Sequence, residues 1–185
     1  MRCVVSLDFV PYHTFYEARR IGASVACLVL GVSNMYRCLC GGRREVRFAV
    51  FEEADCAADP RIFVEVARRA SVEAFGEDLV AMVVRTGKGF HVYLDRWRGG
   101  YFEALLDAAR FRNALPAACR DERHVWLAIE MLQRFRWYRY VLRVSNTKWP
   151  WDRFDVVYYR APSDPCHRAY LEEVRRLYSA PAPAP

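Results

Sequence analysis

Apolar and polar positions alternate along several short stretches of the chain, and residues 46–50 show this pattern clearly. Valine, phenylalanine and valine occupy every second position there, and side chains two residues apart on a strand share one face. The pattern predicts a β-strand with one buried face. This strand leads directly into three carboxylates, Glu52, Glu53 and Asp55, so the sequence places an acidic group at a strand end.

The other predicted strands are apolar runs bounded by glycine, asparagine or charged residues. They cover residues 3–7, 24–32, 35–39, 79–84, 90–94, 137–144 and 154–159, with a helical turn expected at 15–20. The runs 24–32 and 35–39 predict a hairpin. A second hairpin is predicted from 79–84 and 90–94, which are joined by a glycine-flanked turn at residues 86–89. Glycine permits the positive φ angles that such a turn needs.

Apolar residues spaced three or four apart predict longer helices elsewhere in the chain. The first carries Pro60 in its first turn, where proline is well tolerated, and ends at Gly76. The others are predicted at residues 101–111, 124–135 and 164–178. Strands and helices in this order predict an α+β fold, with a mainly antiparallel or mixed sheet and helices on its faces.

The chain has 185 residues, of which 54% are hydrophobic, which suffices for one well-buried core. We expect a single domain over residues 1–179, followed by a disordered proline and alanine tail at 180–185. No run of 18 consecutive apolar residues is present, and Arg2, Asp8 and His13 interrupt the first segment. A cytoplasmic protein without a membrane partner is therefore expected.

The seven cysteines are an odd number without paired metal-ligand spacing, which argues against a secreted disulfide framework. Because free cysteine is among the most buried residue types, most of them are expected to be small apolar core side chains. The alternative is a zinc site. Cys38 and Cys40 would point to the same face of a strand, and Cys27, Cys56 or His13 could join them.

Charge and lysine usage point to a phosphate-bearing ligand. The formal net charge of +6 favours a polyanionic partner, and of 28 basic side chains only Lys88 and Lys148 are lysine. An ammonium group is a compact point charge that suits a phosphate oxygen, whereas guanidinium is a planar fork. The two lysine segments are therefore candidates for a phosphate site, and the alternative is that both lysines are ordinary surface residues.

Several predicted elements carry side chains that suit phosphate and metal binding. The glycine-flanked turn exposes backbone N–H groups beside Thr86 and Lys88, and the next strand presents His91, so this hairpin can hold a triphosphate. The acidic strand end can bind Mg²⁺ or Mn²⁺, which prefer oxygen ligands and bridge to phosphates. Three residues of a later strand and loop can complete the phosphate pocket: Arg143, Ser145 and Lys148. Such a set would serve phosphoryl or nucleotidyl transfer.

Two of these segments resemble motifs of a known family. Residues 84–94, VRTGKGFHVYL, resemble the second motif of the archaeo-eukaryotic primase superfamily, a glycine-rich turn followed by a histidine. Residues 142–148, LRVSNTK, look like the later basic segment of primase-polymerase domains, whose arginine, serine and lysine line the nucleotide pocket. The resemblance implies an RRM-like core of the primase-polymerase type. It also implies that His91 contacts the phosphates of the incoming nucleotide.

The first motif of that family is a pair of aspartates one residue apart that binds metal. Glu53 and Asp55 have this spacing here, with Glu52 beside them, so the resemblance implies that these carboxylates hold Mg²⁺ or Mn²⁺. The third metal-binding aspartate of the family precedes the basic strand. Residues 135–142 contain none, and Asp155 follows that strand instead. A degenerate relative that binds nucleotides without polymerising them is therefore the alternative.

Basic and aromatic side chains alternate over residues 134–140. This pattern can stack unpaired bases and pair with phosphates, as in proteins that bind single strands. The candidates for contact with a template are Arg134, Arg136, Trp137 and Arg139. The alternative is a strand whose aromatic face is core and whose arginines are solvated.

Three functions are consistent with these patterns. The first is a primase-polymerase-like nucleotidyltransferase in DNA replication or repair, with Glu53, Asp55 and His91 as catalytic residues. It would bind nucleoside triphosphates and single-stranded or primed nucleic acid, together with a larger replication subunit or helicase. The second is a non-catalytic nucleic-acid-binding subunit on the same fold. The third is a protein-interaction module without a nucleotide site, whose Trp149 and Trp151 contact another protein.

Overall fold

The computed structural model describes residues 3–18, 23–136, 140–143 and 154–179. The strands are β1 (Val4–Ala18), β2 (Ala23–Cys40), β3 (Arg43–Ala54), β4 (Val80–Arg85), β5 (Phe90–Arg98), β6 (Val141–Arg143) and β7 (Asp155–Tyr159). The helices are α1 (Pro60–Phe75), α2 (Tyr101–Ala114), α3 (Glu122–Phe135) and α4 (Pro165–Ser179), with a short 3-10 turn at Ala117–Cys119. None of the helices in these described ranges is long and apolar enough to cross a membrane.

The strands form one antiparallel sheet in the order β1-β2-β3-β5-β4-β7, and β6 also pairs with β2. β1 and β2 are a long hairpin that is paired from Val4 opposite Leu39 to Ala18 opposite Ala23. The pairing of β3 with β5 and of β5 with β4 places the hairpin β4–β5 beside the acidic strand. The predicted α+β fold with a mainly antiparallel sheet is confirmed.

Two different strands share one edge of β2. β3 pairs with it as far as Phe48 opposite Met35, and β6 pairs with residues 31–33. Between these two regions the N–H of Asn34 donates to the carbonyl of Tyr140 at 2.7 Å, and the Tyr140 N–H donates to Oδ1 of Asn34 at 3.1 Å. The side-chain amide thus continues the strand ladder, which explains why β2 passes through Asn34 without a turn.

Neighbouring residues on β5 show which helix covers which face of the sheet. The ring of Phe90 stacks on Phe63 of α1 with centroids 4.0 Å apart, whereas Nδ1 of His91 lies 2.7 Å from Oη of Tyr178 in α4. Because successive strand side chains point to opposite faces, α1 and α4 lie on opposite sides of the sheet. α2 packs beside α1. The central strands of the sheet are therefore covered by helices on both faces.

Coverage on both faces explains the composition of the central strands. Every residue from Val80 to Val84 is fully buried. A strand buried on both faces needs a continuous apolar run rather than alternation, and the sequence VAMVV provides it. On the α4 side the ring of Tyr36 stacks on Tyr170 with centroids 4.4 Å apart. Nε2–H of His167 donates to the carbonyl of Leu94 at 2.8 Å, and its Nδ1 lies 3.1 Å from Oη of Tyr36.

The predicted boundaries of α1 are confirmed, and local chemistry accounts for them. Oδ1 of Asp59 accepts the N–H of Arg61 at 2.9 Å and so caps the helix start, with Pro60 as the first helical residue. Gly76 ends the helix with φ of 79°, a left-handed conformation that glycine adopts without a steric cost. The predictions for α2, α3 and α4 agree with the structure to within a few residues.

The N-terminal predictions are partly wrong. The strand at residues 3–7 continues to Ala18, so residues 15–18 are extended and not a helical turn. Residues 24–32 and 35–39 belong to the single strand β2 and not to a hairpin. Later in the chain, only residues 141–143 of the predicted strand 137–144 are assigned to β6, and residues 137–139 and 144 lie outside the described part. The tail at 180–185 also lies outside it.

Six of the seven cysteines form disulfide bonds, which corrects the expectation of unpaired core thiols. The pairs are Cys3–Cys40, Cys38–Cys166 and Cys56–Cys119. Each pair joins residues that are distant in sequence and lie together only in the folded chain, so spacing could not reveal them. Cys38 and Cys40 share a face of β2 as predicted, but their neighbours are Cys3 and Cys166.

Candidate functional site

The acidic end of β3 lies beside the start of β5. Glu53 is the cross-strand neighbour of His91, and its Oε1 lies 3.8 Å from Nε2 of the histidine. The Glu53 side chain is 37% exposed, whereas that of His91 is 3% exposed. The sheet register therefore brings the acidic cluster and the glycine-histidine hairpin together, with the carboxylate on the solvent side.

The second nitrogen of His91 is held inside the protein by Tyr178, which in turn contacts Tyr93. Nδ1 lies 2.7 Å from Oη of Tyr178, which lies 2.7 Å from Oη of Tyr93. Burial, reinforced by the neighbouring Tyr178, raises the pKa of Tyr93 well above its ordinary value, so its hydroxyl stays protonated. These four residues form a polar chain from the surface into the core, and we call it the Glu53–Tyr93 chain. It fixes the ring of His91 and leaves Nε2 directed toward Glu53.

The tyrosines of this chain were missed in the sequence. Tyr93 lies in the apolar run of β5, and Tyr178 lies at the helical spacing expected for a core residue of α4. Nothing in their spacing distinguishes a hydrogen-bonded tyrosine from one that only fills space. Only the crossing of α4 over β5 brings the two hydroxyl groups together.

The glycine-rich turn packs against the end of β3. An ideal Cβ atom placed on Gly89 would overlap the carbonyl oxygen of Ala54 and would lie 3.0 Å from Cα of Asp55. Gly89 is outside the left-handed φ region. The prediction that glycine is needed in this turn for a positive φ angle is therefore wrong for this residue. Glycine is needed here for close approach of two backbones. The turn and Asp55 are therefore in direct contact.

The backbone N–H groups of the turn do not all face outward, as the sequence suggested. Oγ1 of Thr86 accepts the N–H of Gly89 at 3.0 Å and that of Lys88 at 3.4 Å. The Thr86 N–H donates to the carbonyl of Gly89 at 2.8 Å and closes the hairpin. Thr86 therefore shapes the turn, and the exposed side chain of Lys88 is the group that this turn presents to solvent.

A second connection holds the acidic end of β3. The N–H of Asp55 donates to the carbonyl of Cys119 at 3.1 Å, and Ala54 forms an isolated bridge with Arg120. The next residue, Cys56, is disulfide-bonded to Cys119. Asp55 is exposed, but its backbone is fixed on one side by the turn and on the other by this segment.

Glu52 does not join Glu53 and Asp55. It is fully buried, its Oε1 accepts the hydroxyl of Tyr140 at 2.7 Å, and neighbouring residues on a strand point to opposite faces. Burial, and then the negative Glu52, raise the pKa of Tyr140 well above its ordinary value. In the described part of the chain, the group of three or more ligand side chains close enough to share an ion is Cys3, Cys40 and Cys166. Glu52 is therefore directed away from a metal ion at the strand end, and the described side chains of Glu53, Asp55 and His91 do not form a three-ligand group.

The basic segment starts next to this acidic end. Tyr140, which bonds to Glu52, directly precedes β6, and the backbone of Arg143 is paired with Gly31 of β2. The side chain of Arg143 lies outside the described part, as do Ser145 and Lys148. Their predicted role in the phosphate pocket stays a prediction.

Two of the predicted template contacts lie at the end of α3. Arg134 is exposed and pairs with Glu130 of the same helix at 3.0 Å. Arg136 is exposed, and its backbone has φ of 54° while its N–H donates to the carbonyl of Leu132 at 3.0 Å, as in a helix cap. Trp137 and Arg139 lie outside the described residues.

Comparisons with known proteins add no family. No protein-family model matches the sequence, and no curated protein or solved structure is significantly similar to it.

Proposed function

We propose that this protein is a primase-polymerase-like domain that binds a nucleoside triphosphate and a divalent metal ion at the junction of β3 and β5. The observation that carries this proposal is the 3.8 Å separation between Oε1 of Glu53 and Nε2 of His91. Two segments that resemble separate motifs of one superfamily are thus neighbours in space. The reaction would be nucleotidyl transfer on single-stranded or primed nucleic acid.

The metal ligands in this proposal are Glu53 and Asp55. Both are at least partly exposed, and carboxylate oxygens are the donors that Mg²⁺ and Mn²⁺ prefer. A bound ion of this kind would neutralise phosphate charge during transfer. Glu52 has no part in the site, because it faces the core and bonds to Tyr140.

The triphosphate would be held by cations around this acidic end. Lys88 is exposed on the turn that packs on Asp55, and the basic segment with Arg143, Ser145 and Lys148 follows the Tyr140 contact. Nε2 of His91 would hydrogen-bond to a phosphate oxygen while Nδ1 stays bonded to Tyr178. The template would contact the basic surface at the end of α3.

A second candidate is a nucleotide-binding subunit on the same fold that does not catalyse transfer. The burial of Glu52 favours it, because only two carboxylates remain at the strand end. Two-metal transfer needs enough oxygen ligands for both ions. Both candidates have the same nucleotide site. They differ in whether the protein extends a nucleic-acid primer.

The test is thermal unfolding with each nucleoside triphosphate, with and without Mn²⁺. A ligand at 100 times its Kd stabilises the folded state by about 2.7 kcal/mol, which raises the melting temperature measurably. We expect a metal-dependent rise in wild type, its loss in Glu53→Gln and Lys88→Ala, and its retention in Arg44→Ala. Arg44 is a matched control, since it is an exposed cation at the other end of β3.

No rise at millimolar nucleotide would overturn both candidates and favour the protein-interaction alternative. A rise that all three variants retain would place the nucleotide elsewhere. Where the expected pattern is found, extension of a labelled primer on a single-stranded template separates the candidates. Primer extension by wild type that is lost in Glu53→Gln supports nucleotidyl transfer. Nucleotide binding by wild type without primer extension supports the second candidate.

A further inference from the structure

Four cysteines from three segments of the chain meet at one end of the sheet, away from the nucleotide site proposed above. Cys3 directly precedes β1, and its Cα lies 4.5 Å from that of Cys40 at the end of β2. Cys38 lies two residues earlier on the same face of β2, and Cys166 is in the first turn of α4. The structure pairs these residues as Cys3–Cys40 and Cys38–Cys166.

The two disulfides lie against each other. The sulfur atoms of Cys3, Cys40 and Cys166 are all within 4.8 Å of one another, and the sulfur of Cys38 is bonded to that of Cys166. Four sulfur atoms therefore occupy one small volume. Thiolates bound to one Zn²⁺ at about 2.3 Å are separated by about 3.8 Å at the tetrahedral angle, so the sulfur atoms of Cys3, Cys40 and Cys166 are close enough to share one ion. Cys38, which is bonded to Cys166, would complete the set by a side-chain rotation once that disulfide opens.

We infer that these four cysteines form a redox-dependent zinc site, in which the two disulfides are the oxidised, metal-free form. Reduction of both disulfides takes four electrons and four protons and gives four thiols. A tertiary phosphine can supply the electrons, since each molecule reduces one disulfide and becomes a phosphine oxide with oxygen from water. Zn²⁺ then displaces the four thiol protons and binds the four thiolates.

The surroundings of the cluster suit a structural ion. Cys38 and Cys166 are almost completely buried, while Cys3 and Cys40 are half-buried, so an ion can enter from one side. Next to Cys166, His167 bonds to Tyr36, and Asp164 pairs with Arg47 of β3 at 2.7 Å. The start of α4 is therefore held against the sheet independently of the sulfur bonds. The thiols would stay close together when both disulfides are reduced.

The test uses the full chain, reduced with a phosphine under argon, freed of metal and titrated with Co²⁺ and then Zn²⁺. A thiol count first establishes that the disulfides have opened. We expect one Co²⁺ per chain with the intense visible bands of tetrahedral thiolate coordination, and stoichiometric displacement by Zn²⁺. Oxidised protein should bind neither ion. The double variant Cys38→Ser, Cys166→Ser should lose binding, whereas the control Cys56→Ser, Cys119→Ser should retain it.

Alkylation of the wild type keeps the proposal testable if the first double variant does not fold. Bound Zn²⁺ should slow the alkylation of Cys3, Cys38, Cys40 and Cys166 at least tenfold, as mapped by mass spectrometry. Reduced wild type that binds no metal would overturn the inference. Protection of other cysteines, or a coloured iron cluster in freshly purified protein, would overturn it as well. None of these outcomes depends on whether the protein binds nucleotides.

Discussion

Glu53 and His91 are neighbours across β3 and β5, with Oε1 of one 3.8 Å from Nε2 of the other. The far nitrogen of His91 is held by Tyr178 of α4, so the ring has one end fixed in the core. The carboxylate end of this contact is half-exposed. This arrangement leaves the histidine little freedom to rotate, and it makes the position of Nε2 depend on the packing of α4 against the sheet.

The first prediction concerns the inner end of the Glu53–Tyr93 chain. Tyr178→Phe removes the hydroxyl that contacts both His91 and Tyr93. Because both partners are buried, we expect the free energy of unfolding to fall by about 1–3 kcal/mol in urea titrations. Tyr158→Phe, on the half-buried strand β7, is the control and should change stability by less than about 0.5 kcal/mol. Equal effects of the two substitutions would show that the hydroxyl contacts of Tyr178 contribute nothing specific.

The second prediction concerns the contact between the turn and β3. Gly89→Ala places a methyl group on the carbonyl of Ala54, so either the turn or the strand end must shift. We expect a loss of about 1–3 kcal/mol in the free energy of unfolding and weaker metal-dependent nucleotide binding. The matched control is Gly99→Ala, since a Cβ at Gly99 meets no atom within 4 Å. If Gly89→Ala behaves like the control, the turn does not rest on β3 in solution.

Much of the central fold could be predicted because local chemistry determines it. α1 has a capping aspartate, a proline at its first position and a glycine at its end, all within one short segment. β4 is a continuous apolar run, which predicts a buried strand but does not show which strands pair with it. By contrast, Asn34 indicates a turn by residue type, yet it continues β2 because Tyr140, distant in sequence, completes its hydrogen bonds. Signals that depend on distant partners cannot be seen in a local pattern.

The candidate site shows the same division. The acidic cluster and the hairpin motif could be found from the sequence, but the predicted metal ligands include Glu52, although strand alternation places it on the opposite face from Glu53. What the sequence could not show is that Glu52 is bonded to Tyr140, or that α4 brings Tyr178 to His91. The disulfide partners are equally non-local. The topology of the fold decides these contacts. The residue types involved indicate only that the side chains belong to the core.

The third prediction tests the tether beside the acidic strand end. The Cys56–Cys119 disulfide joins residues 63 apart in sequence and so restricts a long loop of the unfolded chain. Replacing both cysteines by serine should lower the free energy of unfolding by about 2–4 kcal/mol under oxidising conditions. A reducing agent should remove most of the difference between the variant and wild type. A difference that persists unchanged after reduction would mean that the serines, and not the missing bond, destabilise the protein.

The fourth prediction concerns the pH dependence of stability near α2. The carboxylate of Asp107 is almost completely buried and accepts hydrogen bonds from Arg96 at 2.7 Å and Arg98 at 2.6 Å. Burial alone would raise the pKa of this carboxyl, but the two guanidinium groups lower it below its ordinary value. Asp107 therefore stabilises the folded chain above the unfolded pKa of about 3.9. This contribution is lost as the pH falls through the lower, folded pKa.

Asp107→Asn should remove this pH-dependent contribution together with the charge on the acceptor. We expect the free energy of unfolding at pH 7 to fall by about 2–3 kcal/mol, because hydrogen bonds to a charged group are lost. Below about pH 4 the difference between variant and wild type should shrink, since the wild-type carboxyl is then being protonated too. Glu103→Gln, an exposed acid on the same helix, should leave both stability and its pH slope nearly unchanged. Urea titrations from pH 7 to pH 3 measure both quantities, and a difference that stays constant over this range would contradict the role given to Asp107.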